Sequence, residues 1–157
     1  MKVLFLDFDG VLNYFRWFAF NEHLKKPLWF CESAMRNLDL IIKSTGTFIV
    51  LSTSHRFNPE SVEKFKNECT NRGWGDIVIG RTDSLHCDGE YSGDTRSLEI
   101  KRYIDTHRDI DSWAILDDVP IPLNNSVYVD YNWGLTRRDA NEIINMLNTT
   151  NRYTVVV

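Results

Sequence analysis

The sequence has few cysteines, no long apolar run and no large excess of charge of either sign, and each absence excludes a class of protein. The cysteines Cys31, Cys69 and Cys87 are widely spaced and form no C-x-x-C pair, which argues against both a disulfide framework and a zinc site. No apolar run approaches the roughly 20 residues that span a membrane, and acids near the N-terminus interrupt any secretory signal. We therefore expect a soluble, cytoplasmic protein without a membrane partner.

The charge balance limits the binding partners in a similar way. At pH 7 the 157-residue chain carries a formal net charge of -4, whereas proteins that bind long nucleic acid non-specifically neutralise many phosphates with Lys and Arg. Extended non-specific nucleic-acid binding is therefore not expected, although a local basic patch is compatible with this total. The sequence shows no repeat, linker or low-complexity segment, so residues 1–157 are predicted to form one domain.

The most informative stretch lies at the start of the chain, where the apolar run 3–6 ends in Asp7 and continues through Asp9 and Gly10. An apolar run that ends in an acid is typical of a buried strand whose carboxyl end faces a crevice. In an extended chain Asp9 points the same way as Asp7, and Gly10 allows an immediate turn. Two carboxylates in one small space repel, so they need a proton or a cation. We interpret the stretch as a site, in preference to an ordinary Asp-Gly turn.

Apolar strands and amphipathic helices alternate along the rest of the chain. Strands are predicted at 47–51, 76–79, 113–116 and 127–129, and helices at 33–43, from 59 to a stop at 73, from 94 through 104, and after a capping box at 136–139. Residues 80–93 are predicted as a polar loop, and 153–157 as an edge strand or a frayed tail. The alternation predicts an α/β fold, a parallel sheet with helices on both faces and a ligand crevice at the carboxyl ends of its strands.

Polar side chains follow three of these strands. Asp7 and Asp9 follow the first, Ser52 the second, and Asp117 and Asp118 the fourth, where the alternative is a simple turn. Four carboxylates without a cluster of histidines or cysteines form a hard oxygen site that suits Mg²⁺ better than zinc or copper.

This set of side chains suits phosphoryl transfer. With a metal to offset charge repulsion, Asp7 can attack a phosphoryl group and form a phospho-aspartate. Asp9 is placed to give a proton to the leaving oxygen and to take one from water, and Ser52 to hydrogen-bond a phosphoryl oxygen. A cation would balance the remaining charge.

Residues 14–30 mix aromatic and basic side chains, which either stack bases and hold phosphates or fold back onto the core. Arg16 and Trp17 are nearest to the acids and are the best candidates there for substrate contact. Arg56 is either a surface residue or a contact to a substrate phosphate. His55 is interpreted as incidental, and Lys101 in isolation as a solvated helix residue.

Asp7-Phe8-Asp9-Gly10-Val11 resembles the first motif of the haloacid dehalogenase (HAD) superfamily, most of whose members are Mg²⁺-dependent phosphatases. Ser52 and the pair Asp117-Asp118 resemble its second and fourth motifs. Further strings make the chain most similar to the small HAD domains of RNA-repair proteins and to the 3′-phosphatase domain of phage polynucleotide kinase. These strings are Leu51-Ser52-Thr53-Ser54-His55-Arg56, Ile79-Gly80-Arg81-Thr82, Gly93-Asp94-Thr95-Arg96, Glu99-Ile100 and Gly134-Leu135-Thr136.

The resemblance implies a Rossmann-like HAD core, with a minimal cap because neither 14–30 nor 80–93 is long enough for a full cap domain. It makes Asp7 the nucleophile and a metal ligand, and Asp9 the acid/base whose main-chain carbonyl also binds the metal. Asp118 would be the remaining ligand, with Asp117 supporting either Asp118 or the cation of the third motif. The cation of the third motif is Arg96 or Lys101. The hydroxyl of the second motif is Ser52, with Thr53 as the alternative.

The expected activity is Mg²⁺-dependent hydrolysis of a phosphomonoester. Because an uncapped site admits a polymer end, the predicted substrate is a nucleotide or a nucleic-acid terminal 3′-phosphate, with Arg16, Thr53 and Arg56 as contacts. The alternatives are a phosphatase of sugars or other small metabolites, closed by oligomerisation, and a non-catalytic module that binds phosphate.

Overall fold

The computed structural model describes residues 1–16, 19, 30–85 and 93–149. Within them, five parallel strands form one sheet. The strands are β1 (Lys2–Leu6), β2 (Phe48–Leu51), β3 (Val78–Arg81), β4 (Ser112–Asp117) and β5 (Ser126–Tyr128). Their order across the sheet is β3-β2-β1-β4-β5, so the first strand of the chain lies at the centre, between β2 and β4. The predicted α/β architecture is confirmed.

Four helices of the described part of the chain cover the sheet. They are α1 (Glu32–Thr45), α2 (Pro59–Asn71), α3 (Gly93–Thr106) and α4 (Arg137–Asn148), and a short 3₁₀ turn occupies Ser54–Phe57. Two predicted starts are confirmed in atomic detail. The Asn58 side chain accepts hydrogen bonds from the first amides of α2, and Thr136 and Asp139 form a capping box at α4.

The two faces of the sheet carry separate apolar clusters. Leu4 and Leu6 of β1 pack with α1, α2 and α4, whereas Val3 and Phe5 pack on the other face with α3. Successive strand residues point to opposite faces, so a strand covered on both sides is apolar throughout. β1 is therefore held between the two layers of helices, and Asp7 follows directly at its carboxyl end.

Several predicted bounds differ from the structure by one or two residues, and β3 is displaced as a whole. β3 begins and ends two residues later than predicted and includes Gly80 and Arg81, which had been placed in the polar loop. These residues pair with Val50 and Leu51 of β2 after a shift in register, and main-chain pairing of this kind leaves no apolar pattern in the sequence. α3 begins at Gly93, one residue before its predicted cap.

Several predictions fall outside the described residues: Trp17, Cys87, the tail 153–157 and most of the two connections in which a cap would lie. None of the helices in the described part of the chain combines the length and apolar character that crossing a membrane requires.

Candidate active site

The carboxyl ends of the three central strands meet through main-chain hydrogen bonds. The amide of Asp7 donates to the carbonyl of Leu116 in β4 (3.0 Å), and the amide of Ser52 donates to the carbonyl of Leu6 in β1 (3.0 Å). The sheet thereby brings Asp7, Ser52 and Asp117 to one edge, at the crevice expected for a parallel sheet.

Arg96 joins the first and fourth strand ends. Its Nη1 lies 2.8 Å from Oδ2 of Asp7 and also contacts Oδ2 of Asp117, and the Arg96 and Asp7 side chains are only 7% and 3% exposed. Burial opposes the charge on this guanidinium, but the two carboxylates outweigh that effect and raise the pKa of Arg96 further. Lys101, the other candidate cation, lies exposed further along α3. Among the two candidates, only Arg96 is placed against the acids.

Asp7, Asp117 and Asp118 form a cluster of carboxylates. Each offers one oxygen, and these oxygens all lie within 4.8 Å of one another. Burial raises the pKa of Asp117 to about 7 and that of Asp118 to about 6; the charge of Asp7 adds to both shifts and Arg96 opposes them. Three acids and one guanidinium leave an excess of negative charge. Hard oxygen donors with such an excess fit a magnesium ion.

Gly10 allows the first loop to lie against this cluster. Its φ of 74° is in the left-handed region, and a Cβ at this position would overlap the carboxylate of Asp118. A side chain there would therefore be strained and would displace an acid of the cluster. The sequence predicted the turn, whereas the close approach to Asp118 is visible only in the structure.

Asp9 lies apart from the three-acid cluster and contacts a histidine. Its side chain is 58% exposed; Oδ2 lies 2.8 Å from Nε2 of His55, and Oδ1 accepts a hydrogen bond from Nδ2 of Asn13 (3.2 Å). The other ring nitrogen of His55 lies 3.2 Å from Oγ of Ser61. The sequence pattern alone favours an incidental role for His55, although His55 lies within the string 51–56 that carries part of the family resemblance.

The two candidate hydroxyls after β2 differ. Ser52 is fully buried, and its Oγ has no hydrogen-bond partner among the described residues. Thr53 is equally buried, but its Oγ1 accepts a hydrogen bond from the amide of His55 (3.2 Å) and so caps the 3₁₀ turn. An unpartnered buried hydroxyl is costly unless a ligand completes it. Of the two candidates, Ser52 is therefore the one whose hydroxyl is available to hydrogen-bond a ligand.

The structure does not place Arg56 where a substrate could reach it. Its side chain is 0% exposed and lies 2.9 Å from Oε2 of Glu99, which is 1% exposed. The guanidinium also donates to the main-chain carbonyls of Thr53, Thr82 and Asp83. The expectation of a phosphate contact or a surface position is corrected: Arg56 ties the 3₁₀ turn to the segment after β3.

Arg16 is exposed and lies over an aromatic ring. Its guanidinium carbon is 3.8 Å from the centroid of the Trp133 ring, which belongs to the loop after β5. Trp133 was not singled out from the sequence, because nothing local links it to residues that lie more than a hundred positions earlier. The contact joins the two loops that leave the sheet beside Asp9 and beside Asp117.

Comparison with known proteins adds a family to this geometry. Neither curated proteins nor solved structures give a match. A family model described as "HAD domain in Swiss Army Knife RNA repair proteins" matches residues 3–140, a span that contains every residue of the site described above. Because the match covers most of the chain and the sheet is of the expected type, the chain belongs to the family of HAD domains found in Swiss Army Knife RNA repair proteins.

Proposed function

We propose that this domain is a Mg²⁺-dependent phosphomonoesterase that acts through a phospho-aspartate on Asp7, with the terminal 3′-phosphate of a nucleic acid, or a nucleotide, as its substrate. One observation carries the proposal: a buried aspartate at the end of the central strand, held by Arg96 within a cluster of acids. Membership in a family of RNA-repair HAD domains supports a phosphatase-like role and a nucleic-acid substrate.

Two contacts orient the carboxylate of Asp7, which supports its assignment as the nucleophile. Its Oδ1 accepts a hydrogen bond from the amide of Phe8 (2.8 Å), and its Oδ2 lies 2.8 Å from Nη1 of Arg96. Both contacts fix the direction of the carboxylate, which reduces the entropy lost on reaching the transition state. We assign Arg96 the additional role of the cation that stabilises charge on the phosphoryl group.

The cluster of acids is suited to bind Mg²⁺. Asp7 and Asp118 would hold Mg²⁺ together with the main-chain carbonyl of Asp9, and Asp117 would support them. When bound, the ion offsets the repulsion between a carboxylate and a phosphate dianion. The excess negative charge of the cluster is the observation that supports this assignment.

Asp9 is assigned the proton transfers. In the first step an oxygen of Asp7 bonds to phosphorus while the ester oxygen leaves and takes a proton from Asp9. In the second step water attacks the phosphorus, passes a proton to Asp9 and releases inorganic phosphate, which restores Asp7. The partly exposed position of Asp9 lets it reach an entering ester, and His55 holds its carboxylate. The free hydroxyl of Ser52 would donate to a phosphoryl oxygen.

The first experiment tests the chemistry. Asp7→Asn, Asp9→Asn and the wild type are assayed on p-nitrophenyl phosphate with Mg²⁺, with Asp105→Asn as control because Asp105 is exposed on α3. We expect Asp7→Asn to lower turnover by on the order of a thousandfold or more. Asp9→Asn should also be strongly impaired, and the control should be unchanged. An inactive wild type, or an undiminished Asp7→Asn enzyme, would overturn the hydrolase proposal.

The second experiment tests the substrate. Phosphate release is measured from 3′-phosphorylated and 5′-phosphorylated oligonucleotides, nucleotides and sugar phosphates at equal concentrations. The expected order places the 3′-phosphorylated oligonucleotide first. Turnover of sugar phosphates alone would make the domain a small-molecule phosphatase. Binding of phosphate without any turnover would make it a non-catalytic module.

A further inference from the structure

Three aromatic side chains and one arginine form an exposed surface near the proposed site. Phe15, Tyr131 and Trp133 are 63%, 51% and 53% exposed, and Arg16 lies over the Trp133 ring. We call these four residues the aromatic surface. Single exposed apolar residues are common, but large rings grouped on two touching loops mark a binding surface.

The two loops of the aromatic surface are fixed to one another. The amide of Phe15 donates to the carbonyl of Tyr131 (3.0 Å), and the amide of Leu135 donates to the carbonyl of Val11 (2.8 Å). Gly134 has a φ of 66°, and a Cβ there would overlap the Tyr14 ring, so the loops pack closely only because this residue is glycine. The surface is therefore held by the fold.

Both loops are hydrogen-bonded to residues of the proposed site. The first continues directly from Asp9, which accepts a hydrogen bond from Asn13 of the same loop (3.2 Å). The second follows β5, where Val129 donates to the carbonyl of Asp117 (2.8 Å). The aromatic surface is thus anchored on the two strand ends that carry the acids.

We infer that the aromatic surface stacks the terminal bases of a single-stranded nucleic acid whose phosphate lies at Asp7. This inference rests on the proposed function and identifies the bases as the part of the substrate that the aromatic surface binds. Aromatic faces stack on any base. A guanidinium that covers an indole keeps its N–H groups at the edge, where they can donate to phosphate.

Charge favours a polyanion over an apolar partner at this surface. Arg16 supplies a cation that lies over the Trp133 ring. An apolar partner would leave this guanidinium without a counter-charge, whereas a phosphate would neutralise it. A sugar phosphate presents one small face, whereas a nucleic-acid end presents several bases to the three rings, so the surface favours nucleic acid as the bearer of the phosphate. Because stacking does not distinguish bases, we expect weak sequence preference and marked weakening of binding by salt.

The test measures binding apart from turnover. A fluorescently labelled single-stranded RNA of roughly eight nucleotides with a 3′-phosphate is titrated with the Asp7→Asn protein, and anisotropy is recorded. Adding Trp133→Ala should weaken binding by about tenfold, and Trp133→Phe should restore most of it because a ring is retained. Ile79→Ala is the matched control, since Ile79 is exposed on β3 at the opposite edge of the sheet.

The outcomes separate the two proposals. If Trp133→Ala and Trp133→Phe, each with an unchanged melting temperature, bind RNA as tightly as Asp7→Asn alone, the stacking inference is wrong even when the wild type hydrolyses esters. If Trp133→Ala weakens binding but the wild type hydrolyses no ester, the stacking surface stands and the proposed hydrolase function fails. An equal loss in Ile79→Ala would also overturn the stacking inference, because the effect would not belong to the surface.

Discussion

Arg56 and Arg96 are both buried arginines that contact carboxylates, but their surroundings differ in charge. Arg56 pairs with one acid, Glu99, and also donates to main-chain carbonyls, so this pair is neutral and almost completely closed to solvent. Arg96 faces Asp7 and Asp117, with Asp118 close by, so its single positive charge meets three acids at the carboxyl ends of the central strands.

This difference in charge balance distinguishes a structural ion pair from one that belongs to the candidate active site. A neutral pair with additional hydrogen bonds needs nothing further, and it holds two segments of chain together. A cluster with excess negative charge needs protons or a second cation, and the raised pKa values of Asp117 and Asp118 reflect that need. The local charge balance therefore separates two arginines that are alike in burial.

The largest effect on stability is expected at Arg56. Arg56→Met leaves the buried carboxylate of Glu99 without its cation, and we expect the free energy of unfolding in urea to fall by about 3–5 kcal/mol. The double variant Arg56→Met/Glu99→Gln should recover part of this loss, because the unpaired charge is removed. It should not recover all of it, because the carbonyls that accept hydrogen bonds from Arg56 stay without their donor. Arg36→Met, at an exposed arginine, serves as control. Equal stability of Arg56→Met and this control would contradict the structural role.

The largest effect on activity among the two candidate cations is expected at Arg96. Arg96→Ala should lower the turnover of p-nitrophenyl phosphate by about 10²–10³-fold, because a fixed cation beside the phosphoryl group is lost. Lys101→Ala, on the same helix but exposed, should leave turnover unchanged. A loss of turnover in Lys101→Ala but not in Arg96→Ala would identify Lys101 as the cation of the site.

Magnesium should stabilise the protein more at high pH than at low pH. The pKa of Asp117 is raised from 3.8 to about 7 in the folded chain. Without metal, stability is therefore lost as the pH rises between these values, since the folded state binds the proton more tightly than the unfolded state. Bound Mg²⁺ needs the ionised acids, so its stabilising effect grows over the same range, toward about 2.7 kcal/mol at a hundredfold excess over Kd.

Melting temperatures with and without Mg²⁺ at about pH 5 and about pH 8 check this prediction. Asp118→Asn should reduce the magnesium-induced rise at the higher pH, whereas Asp105→Asn should not. Equal rises at both pH values would show that the ion does not compete with protons at these acids.

The smallest effects should separate the two hydroxyls after β2. Ser52→Ala should leave stability nearly unchanged and lower turnover by about tenfold, because its buried Oγ has no partner among the described residues and is free for a phosphoryl oxygen. Thr53→Val should cost about 1 kcal/mol of stability through loss of the cap. Urea unfolding and steady-state turnover of both variants provide the comparison, and a catalytic loss confined to Thr53→Val would reverse the assignment.

Features set by neighbouring residues could be predicted from the sequence. The apolar run before Asp7, the caps at Asn58 and Thr136 and the alternation of strands and helices each depend on residues a few positions apart. Together these features predict the parallel sheet, and with it the edge at which polar strand ends meet. The resemblance of the motifs to the HAD superfamily also depended on short strings, and the family match confirmed it.

Only the tertiary structure could decide between residues of similar local pattern. Arg96 and Lys101 lie on the same helix, but Arg96 alone of the two contacts Asp7, 89 positions earlier. His55 lies against Asp9 across 46 positions, and Arg56, its neighbour, points into the interior toward Glu99. Periodicity specifies which side of a helix or strand is apolar, but partners so far apart along the chain are set by how the elements pack.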